Sequence, residues 1–456
     1  MKSFLKKIVV ILLEVECRII LAKYKPTIIA VTGSVGKTST KDAIYTALTG
    51  TSSIPHSIRR NQKSFNSELG VPLTILGQDN AWGSLSGWLS ILLSGLELIF
   101  LKEDYPKTLI VEVGADHPGD IKNIVRWIRP DVAVLTKISK VPVHIEFFPT
   151  PEALANEKSQ LLVGVKKGGV AVLSADDEIV MAQKEKAVKA GASIVTFGIQ
   201  KPLQQDILHG EKPVISKADV VASDIETVYR VEHGRNIPAG MKLMVSYKGV
   251  SAPLHLVHVL GLQHVYPVLG GIAVALARGI SLEAVVKAFD NHEPPRGRMN
   301  ILEGINGVTL IDDSYNASPD AMDQALAELA GLRTQGRKIA ALGDMMELGK
   351  HSVPQHLRAG GIAKASADVL VVVGMRSKGI AQGALDAGMD PSRVHSFERS
   401  SEAADFLKSF VTPGDVVLVK GSQSIRMERV ARALLKEGDR AKELLVRHDE
   451  EWLAKP

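Results

Sequence analysis

The stretch VTGSVGKTST, residues 31–40, concentrates residue types that handle phosphate. Gly33 and Gly36 let backbone come close to phosphate oxygens, and the start of the following helix adds partial positive charge. Lys37 is spaced to reach the terminal phosphates of ATP or GTP, and the Thr38 hydroxyl to bind magnesium. Gly33, Ser34, Val35, Gly36, Lys37, Thr38 and Ser39 are therefore the expected nucleotide contacts. The loop is a variant, because the usual glycine six places before the lysine is here Val31.

Magnesium needs further hard oxygen ligands. IVEVGADHPGD puts Glu112 at the tip of an apolar run, where carboxylates of phosphate-transfer sites often sit. Alone it reads equally as an ordinary strand-end acid. His144, in KVPVHIEFF, follows the run DVAVLT, and Lys158 lies in EALANEKSQLL. Taken singly, these two read as a loop histidine at the surface and a solvated helix lysine.

The elements that must carry these residues follow a β/α rhythm. TIIAV leads into the loop, and KDAIYTAL behind it reads as its helix. TLIVEV, DVAVLT and GVAVLS are near-continuous apolar runs, which suit strands buried on both faces of a parallel sheet. Residues 212–260 show shorter alternating strands, expected to form an antiparallel annex, and YPVLGGIAVALARGI a buried helix. NHEPPRGRMN, residues 291–300, reads as a linker, since two prolines and a glycine break regular structure. Beyond it VTLI, KIAAL, VLVVV and DVVLV restart the rhythm without a G-x-G-x-x-G fingerprint. The expected class is α/β: a P-loop-type, mostly parallel central ATPase domain over residues 27–293 and a C-terminal Rossmann-like α/β domain over 294–456. Residues 1–26 form an N-terminal amphipathic helix ahead of both.

Bulk properties exclude several classes. A net charge of +5 over 456 residues, with 5% aromatics, makes no case for nucleic acid. Cys17 is the only cysteine, which rules out intramolecular disulfides and cysteine-rich zinc sites and fits a reducing cytoplasm. Two apolar stretches raise the membrane question. FLKKIVVILLEVECRIILAKY carries Glu14, Glu16 and Arg18 mid-stretch, and SLSGWLSILLSGLELIFL, residues 84–101, carries serines and Glu97. Both argue against spanning. Helices packed on their own protein are the favoured expectation. Peripheral attachment at the inner membrane surface, with Lys2, Lys6 and Lys7 on anionic headgroups, is the sharper one.

Together, TGSVGKTSTKD, NSELGVPLTIL, EVGADHPGDI, RPDVAVLT, GRMN, IDDSYNASPDAM, ALGDMMELGKHS and GDVVLVKGSQSIRMERV resemble the Mur ligases, ATP-dependent amino-acid and peptide ligases of bacterial cell-wall (peptidoglycan) synthesis. The resemblance covers residues 27 to about 437. DDSYNASPDAM and GDMMELG are particular to the branch that adds D-alanyl-D-alanine to a UDP-muramoyl-peptide. The resemblance implies roles. Lys37 and Thr38 hold ATP phosphates and a first magnesium ion, with Glu112 as its carboxylate ligand. His144 matches a ligand of a second magnesium ion, and Lys158 a carbamylated lysine that binds the same ion. Lys37, His144 and Lys158 are thus the implied catalytic set. Arg298 and Asp313 match residues reaching ATP from the C-terminal domain, and Tyr315 and Asn316 line that cleft. Lys420 is a cleft-wall candidate, with an ordinary surface lysine equally open.

The sequence also departs from that pattern. The family carries an N-terminal domain of roughly a hundred residues, an ordinary size for a small domain, that grips the UDP end of the substrate. Only Met1 to Pro26 precede the first strand, so the expectation is a chain lacking that domain. In GLQHVYP, His264 and Pro267 stand where the family has asparagines near the adenine. The readings left open are D-alanyl-D-alanine addition, a related ligase acting on a lipid-linked, folate-like or other acceptor, and a non-catalytic nucleotide-binding scaffold.

Overall fold

A computed structural model of the chain describes residues 3–51, 58–61, 66–82, 84–101, 104–139, 145–200, 217–232, 234–448 and 452, without the side chains of residues 3–5. Lys2, His144 and residues 212–216 lie outside the described residues.

Among the described residues the strands form two sheets. The first contains β1 (Thr27–Thr32), β2 (Ile58–Arg60), β3 (Thr108–Glu112), β4 (Val132–Leu135), β5 (Val170–Ser174), β6 (Ser193–Ile199), β7 (Val220–Glu232), β8 (Arg235–Tyr247) and β9 (Val250–Val257). Their order is β2-β3-β1-β4-β5-β6-β7-β8-β9. From β2 to β7 all neighbours pair parallel. β1 sits between β3 and β4, so the chain order reverses there, and ligands of open α/β sheets bind beyond the strand ends at such a point. Ile29 and Val31 enter one core cluster and Ile28 and Ala30 the other, which is why TIIAV reads as an unbroken apolar run.

Helix α1 (Ser3–Tyr24) packs against the same side of the sheet as α3 (Gly70–Leu76), α4 (Leu85–Phe100) and α5 (Asp120–Ile128). Its Val9, Leu13, Cys17 and Ile20 are buried there. The opposite side is covered by α2 (Lys37–Thr49) and the long apolar helix from Leu262 to Ala277. Those two helices approach closely at Gly271, where a Cβ would lie 2.7 Å from the Ala43 carbonyl carbon.

β7 and β8 differ from the expectation of short strands. Each runs thirteen residues, and β7 pairs parallel with β6, so the hairpin extends the main sheet instead of forming an annex. The pairing absorbs two register shifts, one opposite Pro238. The bulged pairing lets β8 keep Pro238 and Gly240 within a strand.

The second sheet contains β10 (Asn300–Glu303), β11 (Thr309–Asp313), β12 (Lys338–Gly343), β13 (Val369–Val373), β14 (Val394–Phe397) and β15 (Val416–Lys420), in the order β10-β11-β15-β12-β13-β14. Only β10 pairs antiparallel. Helices cover both faces, giving the Rossmann-like arrangement.

Between α1 and α4 the Glu16 carboxyl is buried against Gly95, and its Oε2 has no hydrogen-bond partner among the described residues. Burial raises its pKa from 4.5 to about 7. Between those values the folded chain holds a proton that the unfolded chain has lost, so stability falls as pH rises through the window. Glu16→Gln is expected to raise Tm by several degrees at pH 8 and to change it little at pH 5. Equal shifts at both pH values, read by differential scanning fluorimetry, would contradict the buried-acid assignment.

Candidate active site

The phosphate loop is pinned to the sheet as well as to its helix. Ser34 N–H donates to the Lys137 carbonyl at 2.7 Å, and Val35 N–H to the same oxygen at 3.3 Å. Thr136 Oγ1 donates to Val35 O at 2.8 Å. Gly33 is required here, because a Cβ on it would lie 1.9 Å from Thr136 Oγ1. Gly36 stands in the left-handed region, φ 87°, at the N-cap of α2. The first bond within the helix runs from Thr40 N–H to Gly36 O, so the N–H groups of its first turn point toward the loop mouth. Ser39 is buried in that turn. Ser34 Oγ and Thr32 Oγ1 are buried without a hydrogen-bond partner among the described residues, as fits a cradle built for additional oxygens.

Lys37 Nζ donates to Gly33 O at 3.0 Å. Burial lowers its pKa below the ordinary lysine value; Glu112 opposes this, Arg298 adds to it, and Asp116 opposes it. Thr38 Oγ1 donates to Glu112 Oε2 at 3.0 Å, and Asn66 Nδ2 to Glu112 Oε1 at 3.3 Å. β-Sheet register sets this pair, since Glu112 lies opposite Val31, which leads into the loop. A hydroxyl and a carboxylate in contact at a phosphate loop are hard-oxygen donors that suit magnesium. No group of three or more His, Cys, Asp or Glu side chains gathers as a metal site among the described residues, so a metal here would depend on mixed donors.

Lys158 is the last residue of the helix Pro151–Lys158 and is only 3% exposed, unlike a solvated helix lysine. Its neighbour Glu157 fixes that helix end by accepting from Ile121 N–H at 2.8 Å and Lys122 N–H at 3.1 Å, at the start of α5. Burial, then the charge of Lys37, lowers the Lys158 pKa to about 7, against opposing effects of Asp116 and Glu157. Lys37, Lys158 and Glu112 therefore belong to one electrostatic neighbourhood, and Asp116 joins it. Asp116 was missed in the sequence, although the acid-rich turn EVGADHPGD carried it.

The second sheet supplies the other wall. Lys137 beside the loop pairs with Asp320 at 3.3 Å, and Val259 bridges to Asn300. The Arg298 guanidinium lies 4.3 Å over the Tyr315 ring, and its charge is felt by Lys37. Asp313 is buried and paired with Lys420 at 2.6 Å; Lys420 also donates to Asn316 O at 3.1 Å. Burial raises the Asp313 pKa, with Lys420 opposing. Lys420 is 1% exposed, so the surface reading of that residue does not hold. His264 is buried and bonds through Nε2 to Arg298 O, tying the long helix to the GRM segment; burial lowers its pKa to about 4. The His264 side chain is thus committed to a backbone carbonyl, while Pro267 borders the loop, its Cγ 3.6 Å from a Cβ placed on Gly36.

Comparisons with known proteins agree with this geometry. Residues 94–274 match the Mur ligase middle domain, and residues 297–423 match the domain described as "Mur ligase, glutamate ligase domain". The UDP-N-acetylmuramoyl-tripeptide–D-alanyl-D-alanine ligase of Mycobacterium leprae is 30% identical over 428 residues, covering 90% of this chain and 74% of the relative. The chain belongs to the Mur ligase family. The Mycobacterium tuberculosis ligase of the same name is 31% identical over 429 residues, covering 90% of this chain and 73% of the relative. Among solved structures, MurF from Acinetobacter baumannii superposes with a TM-score of 0.71 at 24% identity, over 92% of this chain and 79% of that one. MurF ligase from Thermotoga maritima in complex with ADP gives 0.70 at 24% identity, over 95% and 84%. At that identity the structural likeness speaks for the fold. The Mur ligase assignment accounts for a phosphate loop facing a second α/β sheet.

Proposed function

We propose that this Mur ligase joins D-alanyl-D-alanine to the terminal carboxylate of a UDP-N-acetylmuramoyl-tripeptide, forming ADP and phosphate. The observation that carries the chemistry is the convergence of Lys37, Glu112, Thr38 and buried Lys158 on one loop mouth, with Arg298 facing it from the second sheet. The substrate pair comes from the relatives' names and from the DDSYNASPDAM and GDMMELG blocks. We take residues 27–293 and 294–456 as the two catalytic domains and the reducing, ATP-supplied cytoplasm as the site of action.

The tripeptide carboxylate attacks the γ-phosphorus of ATP, the β–γ bridging bond breaks, and an acyl phosphate and ADP result. The free amine of D-alanyl-D-alanine then attacks the acyl carbon; phosphate leaves, and the amine gives up its proton. Lys37 offsets charge on the transferring phosphoryl group, helped by the amides of the first turn of α2. Arg298 and the buried Asp313–Lys420 pair close the cleft from the second sheet and keep water from the acyl phosphate. Thr38 and Glu112 would hold a magnesium ion, which supplies charge neutralisation on the phosphates. His144 and Lys158 would hold a second. Lys158 serves there as a carbamate: its neutral amine adds CO2 and releases a proton, which turns a cation into an oxygen ligand.

Coupled ADP release tests the reading, using purified protein, magnesium, ATP, UDP-N-acetylmuramoyl-tripeptide and D-alanyl-D-alanine. Release that needs both acceptor and dipeptide, with the pentapeptide product seen by mass spectrometry, is the expected outcome. ATP binding without turnover on this pair would overturn the substrate assignment.

A further inference from the structure

The outward side of the α1–α4 helix pair takes no part in the site. On α1, Ile8, Ile11, Leu12, Val15 and Ile19 remain exposed, Ile11 at 60%. On α4, Trp88, Ile91 and Gly95 point inward, whereas Leu85, Leu89, Leu93, Leu96 and Phe100 are exposed, Phe100 at 79%. Scattered surface leucines are ordinary, but two continuous stripes on neighbouring helices are not.

The two stripes form one face. The helices run in the same direction, since Lys23 at the end of α1 donates to Leu98 O at 2.9 Å and Ile99 O at 3.0 Å at the end of α4. They touch where the Glu16 carboxyl meets Gly95. A helix advances about 100° per residue. Seen from the N-termini, the outward stripe of α1 therefore lies anticlockwise of its contact with α4. That of α4 lies clockwise of its contact with α1. In a parallel pair those two directions coincide, away from the sheet. At 1.5 Å per residue the face is about 18 Å long on α1, from Ile8 to Ile19, and about 24 Å on α4, from Leu85 to Phe100.

The α1 rim is net basic. Lys6 and Lys7 lie at one end of α1 and Lys23 and Lys25 at the other, with Arg18 between. Lys6 pairs with Glu68, Arg18 with the half-buried Glu14, and Glu16 is buried, while α4 carries one exposed acid, Glu97, and no basic residue. Trp82, 59% exposed, stands just ahead of α4. No helix among the described residues is long and apolar enough to cross a membrane.

We propose that this face docks on an anionic lipid bilayer, with α1 and α4 lying in the plane of the headgroup–acyl boundary. The surface is elongated and apolar along its centre, basic at both ends of α1, with a tryptophan beside it, as for interfacial helices. Anionic headgroups supply acidic charge along the length of α1, which carries more lysine and arginine than acid. The N-terminal end of α1 also lies at the catalytic end of the first sheet. Lys6 pairs with Glu68 at 2.8 Å, near Asn66, which bonds Glu112. The inference stands on exposure and charge and is independent of the ligase reading.

Flotation of the purified full chain with phosphatidylcholine vesicles, with and without phosphatidylglycerol, tests it. Binding to the phosphatidylglycerol vesicles, weakened by salt, is expected. The triple variant Val15→Gln, Leu89→Gln, Leu93→Gln should lose at least about tenfold in partitioning, with unchanged Tm and ADP release. Lys7→Gln with Lys25→Gln should lose the preference for phosphatidylglycerol. Absence of binding to either vesicle, or binding that the triple variant leaves intact, would overturn the proposal. So would a dimer in light scattering that the triple variant converts to monomer, because the face would then be a self-interface.

Discussion

Lys37→Ala is expected to lower ADP release by about a thousandfold or more, the scale seen when a preorganised charge at a transferring group is removed. The prediction rests on where the side chain is held. Its ammonium donates to Gly33 O within the loop, and the Glu112 charge acts on it. In a loop of this type the lysine there meets the terminal phosphates. Lys37→Arg is expected to recover little, since the planar guanidinium is larger and differently hydrated than the ammonium. Loss of fold is the competing explanation, and Tm separates the two: removing a partly desolvated cation leaves β1, the loop pinning by Lys137 and Thr136, and α2 in place. A variant that folds and turns over ATP at the parent rate would refute the loop assignment.

The sequence was legible where one residue type has one physical use. Gly33 and Gly36 could be read because both meet demands that side chains cannot: a hydroxyl pressed against the backbone and a left-handed N-cap. β1, β3, β4 and β5 could be read because burial on both faces leaves continuous apolar runs. Three features could not be read from the residues alone. Lys158 and Lys420, marked only by the resemblance, read singly as surface lysines because burial of a lysine depends on what packs around it, for Lys420 the Asp313 carboxylate. Asp116 carries no pattern of its own; only the fold brings it opposite two lysines. The length of β7 and β8 was not legible because proline and glycine sit inside β8, which only a bulged pairing accepts. The helix pair shows the same limit in another form. α1 was foreseen as packing on its own protein, and it does, yet its second apolar stripe becomes visible only when α4 lies alongside it.

Lys158→Ala is expected to lower the ligation rate by about a hundredfold, at the upper end of what removing support for a metal site does. Added formate or acetate should restore part of it, since a small carboxylate can occupy the space the carbamate leaves. The Lys37 charge acts on Lys158 in a largely desolvated site, where two ammonium groups repel. Carbamylation removes one positive charge and adds a negative one, so Lys37 stabilises the product as strongly as it opposed the protonated reactant. The direction with pH follows. Addition of CO2 needs the neutral amine, and with a pKa of about 7 that form is scarce at pH 6 and dominant at pH 8. Labelling with 13C-bicarbonate should therefore give a carbamate signal that grows between those values and is absent in Lys158→Ala. In Lys37→Ala the repulsion is gone, the Lys158 pKa rises, and the same signal should require a higher pH. A labelled signal that persists in Lys158→Ala, or a Lys158→Ala enzyme with parent activity, would remove the carbamate from the mechanism and leave Lys158 as a buried structural cation.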